Sequence, residues 1–149
     1  MPDWTNPQDQ VTEHFTVKEM ITLHADNRLA NESDGFNESM QNQIVNLCQV
    51  LEQVRAFLAV PMSVHCGYRS QAYNQSQGIS PVADVHSGAG NDSCAAIDFD
   101  CNADLSIQEV KDKLEPMLEQ WGLRMEKGTT TWIHLDNRRP GPSGRYFTP

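Results

Sequence analysis

Two short segments constrain this chain more than any others: Ala96-Ile97-Asp98-Phe99-Asp100 and Trp132-Ile133-His134-Leu135-Asp136. In each, ionisable side chains alternate with large apolar ones, the period of a strand with one face turned to a core. A carboxylate buried beside apolar residues is costly unless something pairs with it, and a metal ion would be such a partner. His86 lies upstream, in Asp84-Val85-His86-Ser87-Gly88. Together His86, Asp98 and His134 supply two imidazoles and one carboxylate, the donor set of a hydrolytic zinc site that leaves its fourth position to water. The metal-free alternative is five scattered histidines, two of which lie near strands. No compact HExxH helix motif decides between the two.

The 149 residues suit a single domain with a real core. Within it, residues 1–13 read as a polar N-terminal segment and residues 137–149 as a Pro/Gly-rich, solvated tail that carries Arg138, Arg139 and Arg145. A net charge of −9 argues against a nucleic-acid partner. No run is long and apolar enough for a membrane span, and the opening MPDWTNPQDQ lacks the basic and apolar regions of a secretory signal. No heptad run suggests a coiled coil; oligomeric state stays open, with a monomer as the expectation. None of the four cysteines forms a CxxC pair, so reduced thiols are the default. Cys48 fits the apolar face of a helix. Cys94 and Cys101 bracket the Asp98 strand and read first as small buried hydrophobes, with a disulfide or extra metal ligands as alternatives.

Thr16-Val17-Lys18-Glu19 is a capping box, so a helix is predicted to begin near residue 17. Residues 24–37 read as loop. Met40, Ile44, Leu47, Cys48, Leu51, Val54 and Leu58 recur at helical steps, which predicts a helix over about 38–59 that stops before Pro61. Met62–Cys66 and Cys94–Cys101 read as strands, and the Gln-, Ser-, Asn- and Gly-rich stretch 70–93 between them as a long loop. Ser106-Ile107-Gln108-Glu109 is a second capping box. Pro116 should bend the helix it opens, and Gly122 suits the helix end. Leu123–Glu126 and Thr131–Asp136 should form a hairpin around Lys127-Gly128. Helices first, then a small antiparallel sheet with one intervening helix, predict an α+β fold.

The order Gly67-Tyr68-Arg69-Ser70, His86, Ala96-Ile97-Asp98, Trp132-Ile133-His134 resembles that of the zinc D-Ala-D-Ala carboxypeptidase and endolysin family, peptidase family M15, whose fold is shared with the hedgehog signalling domain. The opening His14-Phe15-Thr16 and the helix after it are similar to the phage-type branch. The resemblance covers roughly residues 14–136. It implies that His86, Asp98 and His134 bind zinc, which would polarise a scissile carbonyl and acidify a water. It also implies that Arg69 binds a carboxylate of a peptidoglycan peptide through its two-pronged guanidinium. An ordinary surface ion pair is the competing reading of Arg69.

Three departures from the family pattern bear on chemistry. The step from His86 to Asp98 is twelve residues, longer than in the family motif Ser-x-His-x-x-Gly-x-Ala-x-Asp. The stretch that holds the extra residues, Ser87 to Ser93, is small and polar, so an inserted loop can leave both ligands in place. The motif serine is Asp84 here, with consequences for substrate contact and choice. Many relatives carry an acid three residues before the last histidine, where this chain has Thr131. Glu126 is the candidate replacement as general base. With Lys127–Thr130 as the turn, it would face Thr131 across the hairpin and reach the metal's water; the bland alternative is an exposed glutamate paired with Lys127 or Arg124. His65 reads as an outer partner of the site or a satisfied strand histidine, His14 and His24 as helix-end or surface residues, and Asp100 as the spare carboxylate.

The expectation is a zinc metallopeptidase of the cell-wall type, hydrolysing an amide of the peptidoglycan stem by D,D-carboxypeptidase or L-alanyl-D-glutamate endopeptidase action. It would be made in the cytoplasm and reach the wall on release or within a virion. The alternative is a zinc-binding recognition module without catalysis, which Thr131 favours.

Overall fold

A computed structural model describes residues 1–79, 84–88 and 94–149 of the chain. Two short antiparallel strands, β1 (Gln10–Thr12) and β2 (Phe15–Thr16), lead into α1 (Val17–Ile21). The predicted capping box forms: the Glu19 amide donates to Thr16 Oγ1 at 3.3 Å, and the Thr16 amide donates to the Glu19 carboxylate at 2.8 Å. Within the stretch predicted as loop, β3 (Thr22–Leu23) pairs with β4 (Arg28–Leu29), flanked by single 3-10 turns. Helix α2 (Glu38–Leu58) follows the predicted bounds, with Asn37 as its cap and all seven periodic apolar residues buried.

Strand β5 (Ser63–Cys66) then leads to α3 (Gln71–Ser76), which departs from the predicted loop. The six residues of α3 carry no apolar stripe, so periodicity is blind to them. The available signal was Ser70, whose Oγ accepts from the Tyr73 amide at 3.0 Å. Most of the expected loop insertion, residues 89–93, lies outside the described residues. Strand β6 (Ala96–Asp100), helix α4 (Ile107–Leu114), a 3-10 turn at Pro116 and α5 (Leu118–Trp121) come next, and Gly122 ends α5 in the left-handed conformation. The capping box, the bend and the C-cap thus stand where they were predicted.

The remaining strands are β7 (Arg124–Glu126), β8 (Ile133–Asp136) and β9 (Tyr146–Phe147). They complete a five-stranded sheet in the order β5-β6-β8-β7-β9, antiparallel except for the β7–β9 pair. The fold is α+β, as predicted. The 137–149 segment differs from a solvated tail: it returns to the sheet, and Phe147 is buried in the edge strand. The 1–13 segment is also anchored, with Trp4 edge-on to Phe36 at 5.0 Å. The helices and the sheet enclose one large core that includes Phe15, Met20, Phe36, Leu47, Leu51, Ile97, Phe99 and Leu135.

The register decides what the sheet presents. Cys66 pairs with Asp98, Asp98 with His134, and Glu126 with Phe147. Arg124 pairs with Asp136 and Met125 with Leu135, so the next step sets Glu126 across from His134. One transverse row therefore runs Cys66, Asp98, His134, Glu126, Phe147 over all five strands. Paired residues on neighbouring strands share a face at about 5 Å.

Candidate metal centre

The Gly67-Tyr68-Arg69 turn docks β5 on α1. A Cβ at Gly67 would fall on the Met20 carbonyl, so no other residue permits this approach. The Tyr68 amide donates to the Met20 carbonyl at 2.7 Å, and its ring packs on Phe36 while its hydroxyl donates to the Asp34 carbonyl. With Tyr68 sunk in the core, Arg69 is turned towards the cleft. Its amide donates to the His86 carbonyl at 3.1 Å, which ties the His86 turn to this segment.

His86, Asp98 and His134 come together in that cleft. Asp98 Oδ1 lies 3.3 Å from His86 Nε2 and 2.9 Å from His134 Nδ1. The other nitrogen of each ring is already committed. His86 Nδ1 is 2.6 Å from the Gly67 carbonyl, which can only accept, so Nδ1 carries the proton. His134 Nε2 is 3.0 Å from Asp136 Oδ2. Asp136 is fully buried and held ionised by a two-pronged pair with Arg124 at 2.8 and 2.9 Å, so Nε2 is the donor there. Both rings therefore aim a lone pair at the same carboxylate oxygen. Three acceptors converge, and only positive charge between them makes that favourable: ring protons, or one cation.

The titration tendencies express the same conflict. Burial works to raise the Asp98 carboxyl, but the charge of His86 and hydrogen bonds from both rings outweigh it and hold Asp98 far below the usual carboxylate range. Burial works to lower His86, and Asp98 overrides it, so His86 is raised well above its ordinary value. His134 is raised for the same reason, by Asp136 and Asp98 against burial. A divalent cation would take the place of those protons.

Two nitrogens and one carboxylate oxygen, with a carboxylate and a backbone carbonyl fixing the rings from behind, suit zinc in both the ligands and the groups that orient them. Cys66, which the sequence reading left among the ordinary thiols, forms a close donor group with His86 and Asp98, the ligand atoms lying within 4.8 Å of one another. Its sulfur lies 4.0 Å from His86 Nδ1 and donates to the Gly67 carbonyl. That is the ring nitrogen already spent on Gly67, whereas Asp98 faces Nε2. The unprotonated nitrogen of His134, by contrast, faces the same Asp98 oxygen as His86 Nε2, and Cys66 lies behind the first histidine. Asp136 and the Gly67 carbonyl are further members of the centre that the sequence does not single out. The alternation that marked Asp98 and His134 marked Asp136 too, but nothing local assigns it the orienting role.

The cleft around these donors is lined by Arg69, Asp84, Glu126, Trp132 and Phe147 among others. Arg69 reaches Asp84 at 3.0 Å. The Asp84 oxygens also accept from the Asn74 amide group and the His86 backbone amide. Asp84 is thus engaged by the protein itself and braces Arg69, whose Nε has no partner among the described residues. Glu126 enters the cleft, but by a different register from the one expected: it faces His134, not Thr131. Thr131 is exposed and lines a separate depression with Asp100 and Asn102, so the missing acid at that position leaves no gap in this cleft. Asp100 and His65 pair with each other at 2.6 Å and are not among its lining residues. His14 is bound to Glu52 at 2.7 Å, and His24 is exposed.

The thiols of Cys48, Cys94 and Cys101 are free and buried, with no bridge. No helix among the described residues is long and apolar enough to cross a membrane.

The peptidase M15 family model matches residues 13–136. The chain belongs to the peptidase M15 family. The match spans every donor of the cleft from Arg69 to His134, and it ends before β9. No curated protein and no solved structure matches the chain. As a member of the M15 family the protein is a peptidase, and the Cys66, His86 and Asp98 group is compatible with the metal that such peptidases use.

Proposed function

We propose that this M15 peptidase is a zinc enzyme that hydrolyses an amide bond of the peptidoglycan stem peptide, by D,D-carboxypeptidase or L-alanyl-D-glutamate endopeptidase action. The observation that carries the reading is the convergence of His86 Nε2 and His134 Nδ1 on Asp98 Oδ1, each ring locked from behind. Zinc, when bound there, supplies Lewis acidity to the scissile carbonyl and to the attacking water.

The chain's own residues do the rest. Arg69, braced by Asp84, accepts the substrate carboxylate on its guanidinium. Glu126, beside His134 in the transverse row, takes the proton from the attacking water and returns it to the leaving amine. Asp136 and the Gly67 carbonyl keep the two imidazoles in the ligating tautomer. The phage-like opening His14-Phe15-Thr16 supports a lysin that reaches the wall on release or within a virion.

The test joins metal analysis with mass spectrometry of digested muropeptides. His86→Ala and Asp98→Ala should lose both stoichiometric zinc and wall hydrolysis; retained hydrolysis in either variant defeats the mechanism. The competing reading is a zinc-binding recognition module without catalysis; Thr131, which lies outside the cleft, does not favour it. Glu126→Gln beside wild type separates the two. Loss of activity only in the variant assigns the base to Glu126, whereas full zinc occupancy with no hydrolysis by either protein favours the module.

A further inference from the structure

The M15 match ends at residue 136, yet the cleft does not: Phe147 and Pro149 line it together with Glu126, Trp132 and His134. Phe147 is bound into the sheet by its backbone, because its carbonyl accepts from the Lys127 amide at 2.8 Å. Its ring meets His134 edge-on at 6.2 Å, and the Arg124 guanidinium stacks over it at 4.2 Å. That guanidinium is in turn fixed by Asp136. The ring is therefore a rigid wall.

Its place in the transverse row gives it a direction. Arg69 follows β5 at one edge of the sheet, Asp98 and His134 lie in the middle, Glu126 is next, and Phe147 closes the far edge. The Phe147 ring reaches back over the intervening strand to stand against His134, 6.2 Å between ring centroids, so the wall borders the centre itself. On this side of the scissile bond a bulky side chain would meet the ring at once. A carboxylate held by Arg69 puts the leaving amino acid on the β5 side and the acyl residue on the side of Glu126 and Phe147.

We infer that Phe147, supplied by the segment after the family match, forms with Trp132 and Pro149 an apolar subsite that admits a methyl side chain on the acyl residue and excludes larger ones. The inference rests on the peptidase reading above. It deepens that reading, because both stem bonds named there have alanine as the acyl residue. The wall makes alanine a requirement of shape and not only of supply. Phe147 is a specificity residue: it fixes no proton and holds no metal.

The experiment measures binding, so it does not depend on turnover. The zinc-loaded full chain is titrated calorimetrically with dipeptides that keep a free C-terminal D-alanine and carry Ala, Val or Phe as the preceding residue. Wild type should prefer Ala over Val by about 10-fold or more, the usual discrimination for added methylenes in an apolar pocket. Phe147→Ala should abolish that preference, and Phe147→Trp should sharpen it. Zinc stoichiometry and thermal unfolding of each variant show that the centre and edge strand are intact. Unchanged preferences in both folded variants overturn the inference, as does failure of wild type to bind any of the peptides. Selective binding without cleavage leaves the wall standing and removes the hydrolytic reading instead.

Discussion

Asp136→Asn tests the logic of the centre without touching a proposed ligand. Asp136 has no solvent exposure, accepts the His134 Nε2 proton at 3.0 Å and holds Arg124 through both oxygens. Asparagine keeps the shape but has one acceptor oxygen and one donor nitrogen. It cannot satisfy both Arg124 and the imidazole proton, and it strands the guanidinium, whose side chain is 11% exposed. Breaking a buried pair from one side costs about 3–5 kcal/mol, which for a chain of this size lowers the melting temperature of the zinc-free protein by roughly 10 °C. Loss of the group that orients a ligating histidine costs a further ~10–100-fold in metal affinity. In saturating zinc that factor removes up to about 2.7 kcal/mol from the metal's stabilising increment. The assay is chelator competition for zinc, with melting of apo and loaded forms. Arg124→Lys, which keeps charge beside Asp136 and leaves its acceptor free for His134, should lose less affinity than Asp136→Asn. Wild-type zinc affinity in folded Asp136→Asn would refute the claim that Asp136 sets the tautomer of His134.

Four further outcomes follow from the geometry and the titration tendencies. Zinc binding near pH 7 should release protons, because His86 and His134 are raised above their ordinary value near 6.5 by Asp98 and Asp136; calorimetry in two buffers of different ionisation enthalpy counts them, and a buffer-independent enthalpy contradicts the assignment. The sign for the apo protein is opposite: raised histidines stabilise it below their unfolded pKa and lose that contribution as pH rises through the folded value, so apo stability should fall above about pH 6.5 while zinc affinity rises. Native thiol titration should label Cys66 first, since Cys48, Cys94 and Cys101 are buried and burial pushes their thiols up, Cys101 to about 11; rapid labelling of all four thiols would contradict this packing. Lys111 is 2% exposed and donates to the Lys127 and Thr129 carbonyls at 2.6 and 2.5 Å, so Lys111→Met should cost about 1–3 kcal/mol per stranded carbonyl and loosen the β7–β8 connection; an unchanged denaturation midpoint would count against it.

The legible part of this protein was local. Capping boxes at Thr16 and Ser106 placed two helices, because the cap and its partner lie three residues apart and need nothing distant. The apolar period placed α2 to within a residue, since a long helix repeats its signal many times. The alternation around Asp98 and His134 marked two central strands and two of the candidate ligands. What failed was short or non-local. Helix α3 has too few residues to show a period, and the Glu126 register depended on a turn whose length the sequence left open.

By itself, then, the sequence determined the α+β class and the His86, Asp98, His134 and Arg69 candidates, since each depends on residue type within a short window or on the ordered family motif. The tertiary structure alone decided which nitrogen of each imidazole faces Asp98, that Glu126 stands across from His134, and that Phe147 returns to wall the cleft. Those facts are set by pairing between strands that are remote in the chain. A single-residue slip in that pairing would turn every side chain of the row to the opposite face.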